Sequence, residues 1–236
     1  MKKYHTPKRI LLKLSWEALQ GDQWYGIDPV FLSKVAKKIV RLTEAKGIEV
    51  VLVVWGGNIF RGAILESGGM DRSMGDYMGM LATIINGIAL GEAIKEQWKE
   101  VRVMSAIPTQ RVCEEFIRLR ALRHMEKGRV VICVWGVGNP YFTTDSAAVL
   151  RALELKCDAI VKATKVDGVY NKDPRKFPDA ERYDVLSLAQ ALNESLGIMD
   201  QAAIALAKDQ SVPIFVCKME DIDRIDEEDV IGTFVK

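Results

Sequence analysis

The sequence predicts an α/β protein, a three-layer α/β/α sandwich in which helices cover both faces of a mostly parallel sheet. Short apolar runs rich in valine, isoleucine and leucine alternate along the chain with longer amphipathic segments. Such runs are typical of strands buried on both faces, and their alternation with helices is typical of a parallel sheet. The chain has 236 residues, of which 49% are hydrophobic, so it can bury a full core, and we predict one domain spanning residues 1–236.

The first half of the chain is predicted to contain four strands separated by three helices. The strands are runs of branched apolar residues, which favour extended backbone. The first helix is amphipathic, and Gly47 provides the left-handed residue at which helices commonly end. In chain order these elements are strand 9–15, helix 30–45, strand 49–54, helix 76–97, strand 101–106, helix 111–126 and strand 130–134.

The second half continues the alternation with shorter elements. Asp145 and Ser146 open a helical pattern after the fourth strand, and an acidic segment at 220–228 precedes a closing edge strand. The remaining elements are strand 159–163, helix 186–192, helix 200–208, strand 213–217 and edge strand 230–235. The arginine-rich segment 118–124 is interpreted as a solvated or subunit-facing surface, because no aromatic residues interleave with it for base stacking.

Composition argues against several classes of protein. The 33 basic and 32 acidic residues give a formal net charge of +1, which offers no general field for nucleic acid or an anionic membrane. No apolar stretch reaches the roughly 18 residues of a membrane span, and the apolar run near the N-terminus is too short for a signal peptide. The four cysteines form no CxxC pair, so we expect reduced thiols, no protein metal site and a cytoplasmic location.

One loop, residues 135–148, is central to the functional interpretation. It follows the fourth strand, combines a Gly and Asn turn with the hydroxyls of Thr143, Thr144 and Ser146, and leads into a helix. The unpaired N–H groups of a first helical turn and the helix dipole favour an anion there. The sequence therefore predicts a phosphate site, and the alternative is that Asp145 and Ser146 serve only as helix caps.

Two other strand ends carry cationic side chains suited to phosphate. Lys13 lies within the first apolar strand, where an ammonium group is unfavourable unless it emerges at a polar site. Arg61 follows Gly56 and Gly57 after the second strand, where backbone N–H groups can approach an anion. Because open parallel sheets bind ligands at the carboxyl ends of their strands, we expect both side chains at one edge. A snorkelling lysine and a plain surface arginine are the alternatives.

Six segments of the chain carry recognisable motifs in a fixed order. They are KLS at 13–15, GGNIFRG at 56–62, GDYMGMLAT at 75–83, MSAIP at 104–108, GVGNPYFTTDSAA at 136–148 and KATKVDGVY at 162–170. Together they resemble the bacterial uridylate (UMP) kinases of the amino acid kinase superfamily over nearly the whole chain. The resemblance implies the amino acid kinase fold and ATP-dependent phosphorylation of UMP to UDP in pyrimidine nucleotide biosynthesis. The Walker pattern of P-loop kinases does not occur in the sequence.

The resemblance also implies roles for individual residues. Lys13 and Arg61 would stabilise charge on the transferred phosphoryl group, Asp145 would organise cations, and Asp76 would accept hydrogen bonds from the ribose of UMP. The implied ATP-binding residues are Lys13, Leu14, Ser15, Trp16, Gly57, Arg61, Lys162, Thr164, Tyr170 and Asp173. The implied UMP-binding residues are Gly56, Asp76, Val137, Gly138, Asn139, Pro140, Tyr141, Phe142, Thr143 and Thr144.

The partners implied by the resemblance are ATP and UMP. Mg²⁺ would arrive on the nucleotide, because this ion keeps much of its water and binds phosphate oxygens. The family further implies a homohexamer with UTP and GTP as allosteric effectors. The Met-rich helix after Asp76 is the candidate subunit interface, and otherwise its methionines are interpreted as flexible packing.

Four of the five tryptophans depart from the family pattern. Trp16, Trp24, Trp55 and Trp135 stand where the family ordinarily has glycine, and Val137 replaces a threonine. An indole prevents close backbone approach, and left-handed geometry at such a residue costs roughly 1 to 2 kcal/mol. Unless the loops shift and the rings pack elsewhere, Trp16, Trp55 and Trp135 would plug the phosphate loops. The alternatives to an active kinase are therefore a catalytically impaired variant and a non-catalytic nucleotide- or oxyanion-binding protein.

Overall fold

The computed structural model describes residues 7–15, 25–60, 69–194, 196–227 and 229–236. A nine-stranded sheet forms its centre, in the order β4-β3-β5-β2-β1-β6-β10-β11-β9, and β7 and β8 form a separate ribbon. The strands are β1 (Arg9–Leu14), β2 (Glu49–Val54), β3 (Val101–Ser105), β4 (Glu114–Glu115), β5 (Val130–Val134), β6 (Ala159–Thr164), β7 (Val169–Tyr170), β8 (Arg182–Tyr183), β9 (Val185–Leu186), β10 (Ile214–Lys218) and β11 (Gly232–Val235). Within the described sheet the neighbouring strands run parallel except for the antiparallel pair β10 and β11.

The described residues form six α-helices, and five of them begin after a side chain that caps the first turn, whereas Ile117, before the third, forms no such bond. Asp28 accepts hydrogen bonds from the backbone N–H groups of Val30 and Phe31, and Ser187 caps the fifth helix through Gln190 in the same way. The helices are α1 (Pro29–Glu44), α2 (Arg72–Lys95), α3 (Arg118–Glu126), α4 (Thr144–Glu154), α5 (Leu188–Asn193) and α6 (Gln201–Asp209), with a 3₁₀ helix at Met219–Arg224.

The helices form two layers, one on each face of the sheet. Alternate residues of each central strand point to opposite faces, so that Leu12 joins a core with α1, α2 and the 3₁₀ helix. Leu11 belongs to the core on the other face, which contains residues of α3, α4, α5 and α6. The predicted three-layer α/β/α sandwich with a mostly parallel sheet is confirmed. Lys13 shares the parity of Leu11 and therefore points towards the layer that contains α4.

Several element boundaries differ from the predictions. The helix predicted at 111–126 begins only at Arg118, because Glu114 and Glu115 pair with β3 as the short strand β4. The strand predicted at the sheet edge, β11, instead lies between β10 and β9. The helix predicted at 186–192 begins at Leu188, because Leu186 pairs with β11. Charged or very short strands lack the apolar pattern on which such predictions depend.

The start of α2 is also different from the prediction. Asp76 was expected at the first turn, but the helix begins at Arg72, and the Asp71 side chain caps it by accepting a hydrogen bond from the N–H of Met74. By length and composition this helix could cross a membrane, yet 56% of its apolar window is buried inside the protein. Burial of that extent is typical of a core helix in a folded domain.

The four cysteines are free thiols, as the sequence predicts. Cys113, Cys133 and Cys217 are buried, and Cys157 is partly buried. Burial raises the pKa of the Cys133 thiol to about 12, although the nearby charge of Arg151 acts in the opposite direction. A thiol with so high a pKa is protonated near neutral pH, which makes these cysteines packing residues rather than nucleophiles.

Candidate functional site

The candidate site lies at the carboxyl ends of the central strands β1 and β6. These strands pair in parallel, with Lys13 opposite Lys162, and β2 flanks β1 on the other side. Helix α4 packs across β1, β2 and β6 and begins close to the two lysines. The topology therefore brings two strand-end cations and one helix N-terminus together.

Asp145 joins the two lysines. Lys13, which is only 4% exposed, places its Nζ 2.7 Å from Asp145 Oδ1, and Lys162 Nζ lies 3.9 Å from Oδ2. Lys162 also donates a hydrogen bond to the backbone carbonyl of Ile198. Two cations thus share one carboxylate at this edge of the sheet.

The neighbouring groups determine the pKa of the Asp145 carboxyl group. Burial by itself would raise the pKa of the carboxyl, but the charges of Lys13 and Lys162, with the backbone N–H of Asp200, hold that pKa below its ordinary value. Asp145 is therefore ionised at neutral pH. The predicted alternative in which Asp145 caps the helix is wrong, because Thr143 is the cap.

The N-terminus of α4 is held by hydroxyls and a carboxylate. Thr143 Oγ1 accepts hydrogen bonds from the N–H groups of Asp145, at 3.0 Å, and Ser146, at 3.4 Å. The same hydroxyl donates to Asp200, and Ser146 Oγ donates to Asp200 Oδ2 at 3.2 Å. Two of the three hydroxyls predicted to bind phosphate are therefore engaged with a carboxylate, whereas Thr144 begins the helix without such a contact among the described residues.

Asp200 is a site residue that the sequence interpretation missed. It caps α6 by accepting a hydrogen bond from the N–H of Ala203 while its oxygens also contact Thr143 and Ser146. An aspartate directly before a helix carries a capping signal, but nothing in the sequence indicates that the cap faces a second helix. Asp200 ties the first turns of α4 and α6 together.

The loop before α4 brings Asp76 to the site. The N–H of Tyr141 donates to Asp76 Oδ2 at 2.8 Å, and Arg72 forms an ion pair with Asp76 at 3.0 Å. Gly136 and Gly138 have φ angles of 57° and 95°, so this turn uses the left-handed backbone that glycine permits. Val137 and Pro140 are partly buried in the turn, whereas Asn139, Tyr141 and Phe142 are exposed. Of the predicted UMP-binding residues in this loop, Tyr141 therefore lies beside Asp76.

The loop after β2 is fixed by two buried asparagines. Asn58 and Asn86 exchange amide hydrogen bonds of 3.1 and 2.6 Å, and Asn86 also donates to the Trp55 carbonyl at 2.5 Å. A Cβ atom at Gly56 would lie 2.5 Å from the carbonyl oxygen of Gly79, so only glycine fits there. Gly57 follows in the same turn. Arg61, the third predicted catalytic residue, lies outside the described residues, as does Trp16.

The other predicted ATP-binding residues follow β1 and β6. Leu14 is buried at the end of β1, and Ser15 is 8% exposed directly after it. Thr164 ends β6, where its Oγ1 donates to the Val166 carbonyl at 2.8 Å. Tyr170 donates to Asp167 at 2.7 Å, and Asp173 accepts from the N–H of Arg175 at 3.0 Å, so the hydrogen bonds of both are local.

Two indole rings lie next to this site. The Trp55 ring centre is 5.7 Å from Lys13 Nζ, and this side chain is 38% exposed. Trp135 is 6% exposed, adopts a φ of 66° and lies 6.3 Å from the ring of Tyr77. The Trp55 ring therefore covers part of the approach to Lys13. Trp24 lies outside the described residues.

The residues present fit a metal ion that arrives with the nucleotide. The described ranges contain no group of three or more His, Cys, Asp or Glu side chains placed to hold a metal by themselves. Asp145 and Asp200 nevertheless place carboxylate oxygens beside the first turn of α4. Mg²⁺ is commonly bound by one or two carboxylates together with substrate phosphates, and this pair of residues suits that arrangement.

Comparison with known proteins gives consistent matches over almost the whole chain. The model of the amino acid kinase family matches residues 8–218. A uridylate kinase of Xanthomonas oryzae pv. oryzae is 53% identical over 232 residues, covering 97% of this chain and 96% of that relative.

Two solved structures have the same fold. A UMP kinase from Bacillus anthracis superimposes with a TM-score of 0.94 at 38% identity, covering 98% of this chain and 97% of that chain. A UMP kinase from Ureaplasma parvum gives a TM-score of 0.91 at 34% identity, covering 98% and 100% respectively.

Proposed function

Because this chain belongs to the amino acid kinase family, we propose that it transfers the γ-phosphoryl group of ATP to UMP, giving ADP and UDP. The relatives named as uridylate and UMP kinases support this substrate pair. The observation that carries the proposal is the cluster of Lys13, Asp145 and Lys162 beside the first turn of α4. Phosphoryl transfer needs positioned positive charge more than covalent chemistry, and this cluster supplies it.

The acceptor is proposed to bind at the loop before α4. The dipole of that helix favours the phosphate of UMP at its N-terminus, where the N–H groups of Asp145 and Ser146 donate to Thr143 Oγ1 in the present structure. Asp76, held by Arg72 and by the N–H of Tyr141, would accept hydrogen bonds from the ribose. Phosphate and ribose contacts would then fix the acceptor oxygen relative to Lys13.

Lys13 is proposed to stabilise the charge that develops during transfer. Its ammonium group is buried and fixed by Asp145, so it needs little rearrangement when that charge appears. Lys162 would contact the phosphates of ATP from the neighbouring strand, and Arg61 would act from the loop after β2. When bound, Mg²⁺ would neutralise phosphate charge, with Asp145 and Asp200 as the carboxylates nearest to it.

One observation favours a second candidate function. The Trp55 ring lies over Lys13, and the Trp135 ring packs into the core beside Tyr77 of α2, at the start of the acceptor loop. A chain with these rings in place could bind a nucleotide or another oxyanion without transferring phosphate. Calorimetry with ATP and with UMP distinguishes the candidates, since binding without release of ADP in a coupled assay supports the second.

We also propose that the protein forms a homo-oligomer, a hexamer by analogy with the family, in which each chain is one domain. UTP and GTP are the proposed effectors, and the cytoplasm is the proposed location. An exposed apolar stripe on α2 supports the assembly. Met74, Met78, Leu81 and Ile85 recur at three- and four-residue spacing on one helix face, and Leu81 and Ile85 are about half exposed. A stripe of this kind on a core helix marks a protein contact.

The test is product analysis with a matched control. Purified protein is incubated with ATP, Mg²⁺ and UMP or CMP, and UDP and ADP are measured by chromatography. We expect UDP, and we expect Lys13→Met to lower kcat by about 100-fold to 1,000-fold, the effect of removing one preorganised charge-stabilising group. Lys37→Met, an exposed lysine of α1 in the opposite layer, should leave the rate unchanged. Equal rates for the two variants would overturn the assignment of Lys13.

A further inference from the structure

Two tryptophans in the described part of the chain occupy backbone positions suited to glycine. Of the three tryptophans in the described residues, Trp98 and Trp135 have left-handed φ angles of 62° and 66°. All other described non-glycine residues together contribute three such angles, at Tyr141, Lys156 and Ser211. Only a few per cent of non-glycine residues adopt this backbone, and bulky residues do so rarely. Left-handed backbone at two of the three described tryptophans is therefore far more frequent than expected for so bulky a residue.

Trp98 shows the pattern most simply. It follows α2, where its N–H donates to the Lys95 carbonyl at 2.8 Å and closes the end of the helix. Left-handed residues at such helix ends are usually glycine. The side chain is 96% exposed, so no packing offsets the strain. This position lies outside the motifs of the site, and the sequence patterns gave no reason to single it out.

Trp135 combines strain with an unpaired polar atom. Its Nε1 is buried and has no hydrogen-bond acceptor in the described part of the chain. A buried donor without a partner destabilises the fold, and so does left-handed backbone at an L-residue. Gly136 and Gly138 continue the same left-handed turn. Glycine at 135 would remove both penalties.

Trp55 lies directly before Gly56 and Gly57, and its ring rests on that turn. A Cβ atom at Gly57 would lie 3.2 Å from the indole, and the ring centre is 5.7 Å from Lys13 Nζ. Glycine at 55 would uncover Lys13. Trp16 and Trp24 lie outside the described residues, and only the family motifs of the sequence mark their positions as glycine positions.

We infer that one cause places all five tryptophans: their codons are UGA, which the organism carrying this gene reads as glycine. UGA is read as stop, tryptophan or glycine in different bacterial lineages. A cause at the codon explains both the left-handed backbone of Trp98 and Trp135 and the four tryptophans that stand at glycine positions of the family motifs. Selection for a plugged site would leave Trp98 unexplained. The protein made in its native host then carries glycine at 16, 24, 55, 98 and 135, and its phosphate loops are open.

The gene and the native protein test this directly. All five codons should be UGA, and a UGG codon at any of them overturns the inference for that position and for the common cause. Trypsin cleavage after Arg129 and Arg151 releases residues 130–151, and cleavage after Lys95 and Lys99 releases residues 96–99. In protein from the native organism, peptide mass spectrometry should find glycine at 135 and 98. Tryptophan at either position contradicts the inference.

A second experiment tests the functional consequence, which rests on the proposed function. The chain with tryptophan and a variant with all five changed to glycine are produced in one host and assayed with ATP and UMP. We expect about a 100-fold higher kcat/KM for the glycine form, because Lys13 becomes accessible. If both forms are active and have the same kcat/KM, the predicted gain in activity is wrong. Glycine in the native peptides with no turnover by the glycine form would instead refute the UMP kinase proposal and leave the codon inference standing.

Discussion

The Lys13–Asp145 ion pair gives the most quantitative prediction for this site. Asp145→Asn preserves the shape of the side chain but leaves the Lys13 ammonium, in a residue only 4% exposed, without its carboxylate. Removing one partner of a buried pair costs about 3 to 5 kcal/mol. Lys13→Met leaves Asp145 with Lys162 at 3.9 Å, so the loss should be smaller. In the double variant both charges of the pair are absent, and its stability should approach that of Lys13→Met.

The measurement is a double-mutant cycle by urea unfolding at fixed protein concentration, because association shifts apparent stability. We expect a favourable coupling energy of about 3 kcal/mol or more between the two residues, close to the whole loss in Asp145→Asn, and a fall in apparent Tm of roughly 10 °C for that variant. Asp209→Asn, an exposed carboxylate of α6, serves as control and should have little effect. Additive losses, or a loss under about 1 kcal/mol for Asp145→Asn, would refute the buried pair.

Three further predictions concern pH, backbone strain and assembly. Because the pKa of Asp145 is lowered from its ordinary 3.8, the stability it contributes is complete above that pH and is lost as pH falls through the folded-state value. In urea unfolding at a series of pH values, the parent chain should therefore lose more stability on acidification than Asp145→Asn does, each relative to its own stability at neutral pH. Equal acid losses in the two proteins would contradict the lowered pKa. Trp98→Gly should be more stable than Trp98→Ala by about 1 kcal/mol in urea unfolding, since both lose the ring but alanine keeps the left-handed strain; equal stability would contradict that strain. Leu81→Glu with Ile85→Glu should lower the mass found by light scattering, and an unchanged mass would exclude this stripe as an interface.

The sequence predicted the architecture because apolar strands and amphipathic helices alternate regularly. Lys13 illustrates how far such patterns extend: a lysine inside an apolar strand must reach a polar site, and it does so at Asp145. The short strands β4 and β9 were missed because two-residue pairings carry no periodic signal. Strand pairing of that kind depends on which chain segment is near, and local sequence does not encode it.

The same limit applies to the site. The helix N-terminus at α4 was predicted from the hydroxyls and glycines before it, but the choice of Thr143 as cap was not, because Thr143, Asp145 and Ser146 are all good caps. Asp200 was missed because its second role depends on the packing of α6 against α4. The left-handed backbone of Trp98 was also invisible in the sequence, since nothing about a tryptophan suggests it.

The most direct test of the phosphate-site assignment is a crystal structure with UMP and a non-hydrolysable ATP analogue bound. We expect the UMP phosphate within about 3 Å of backbone N–H groups in the first turn of α4, and the γ-phosphate of the analogue next to Lys13 Nζ. A UMP phosphate bound away from α4, with Lys13 contacting Asp145 and no nucleotide oxygen, would contradict it.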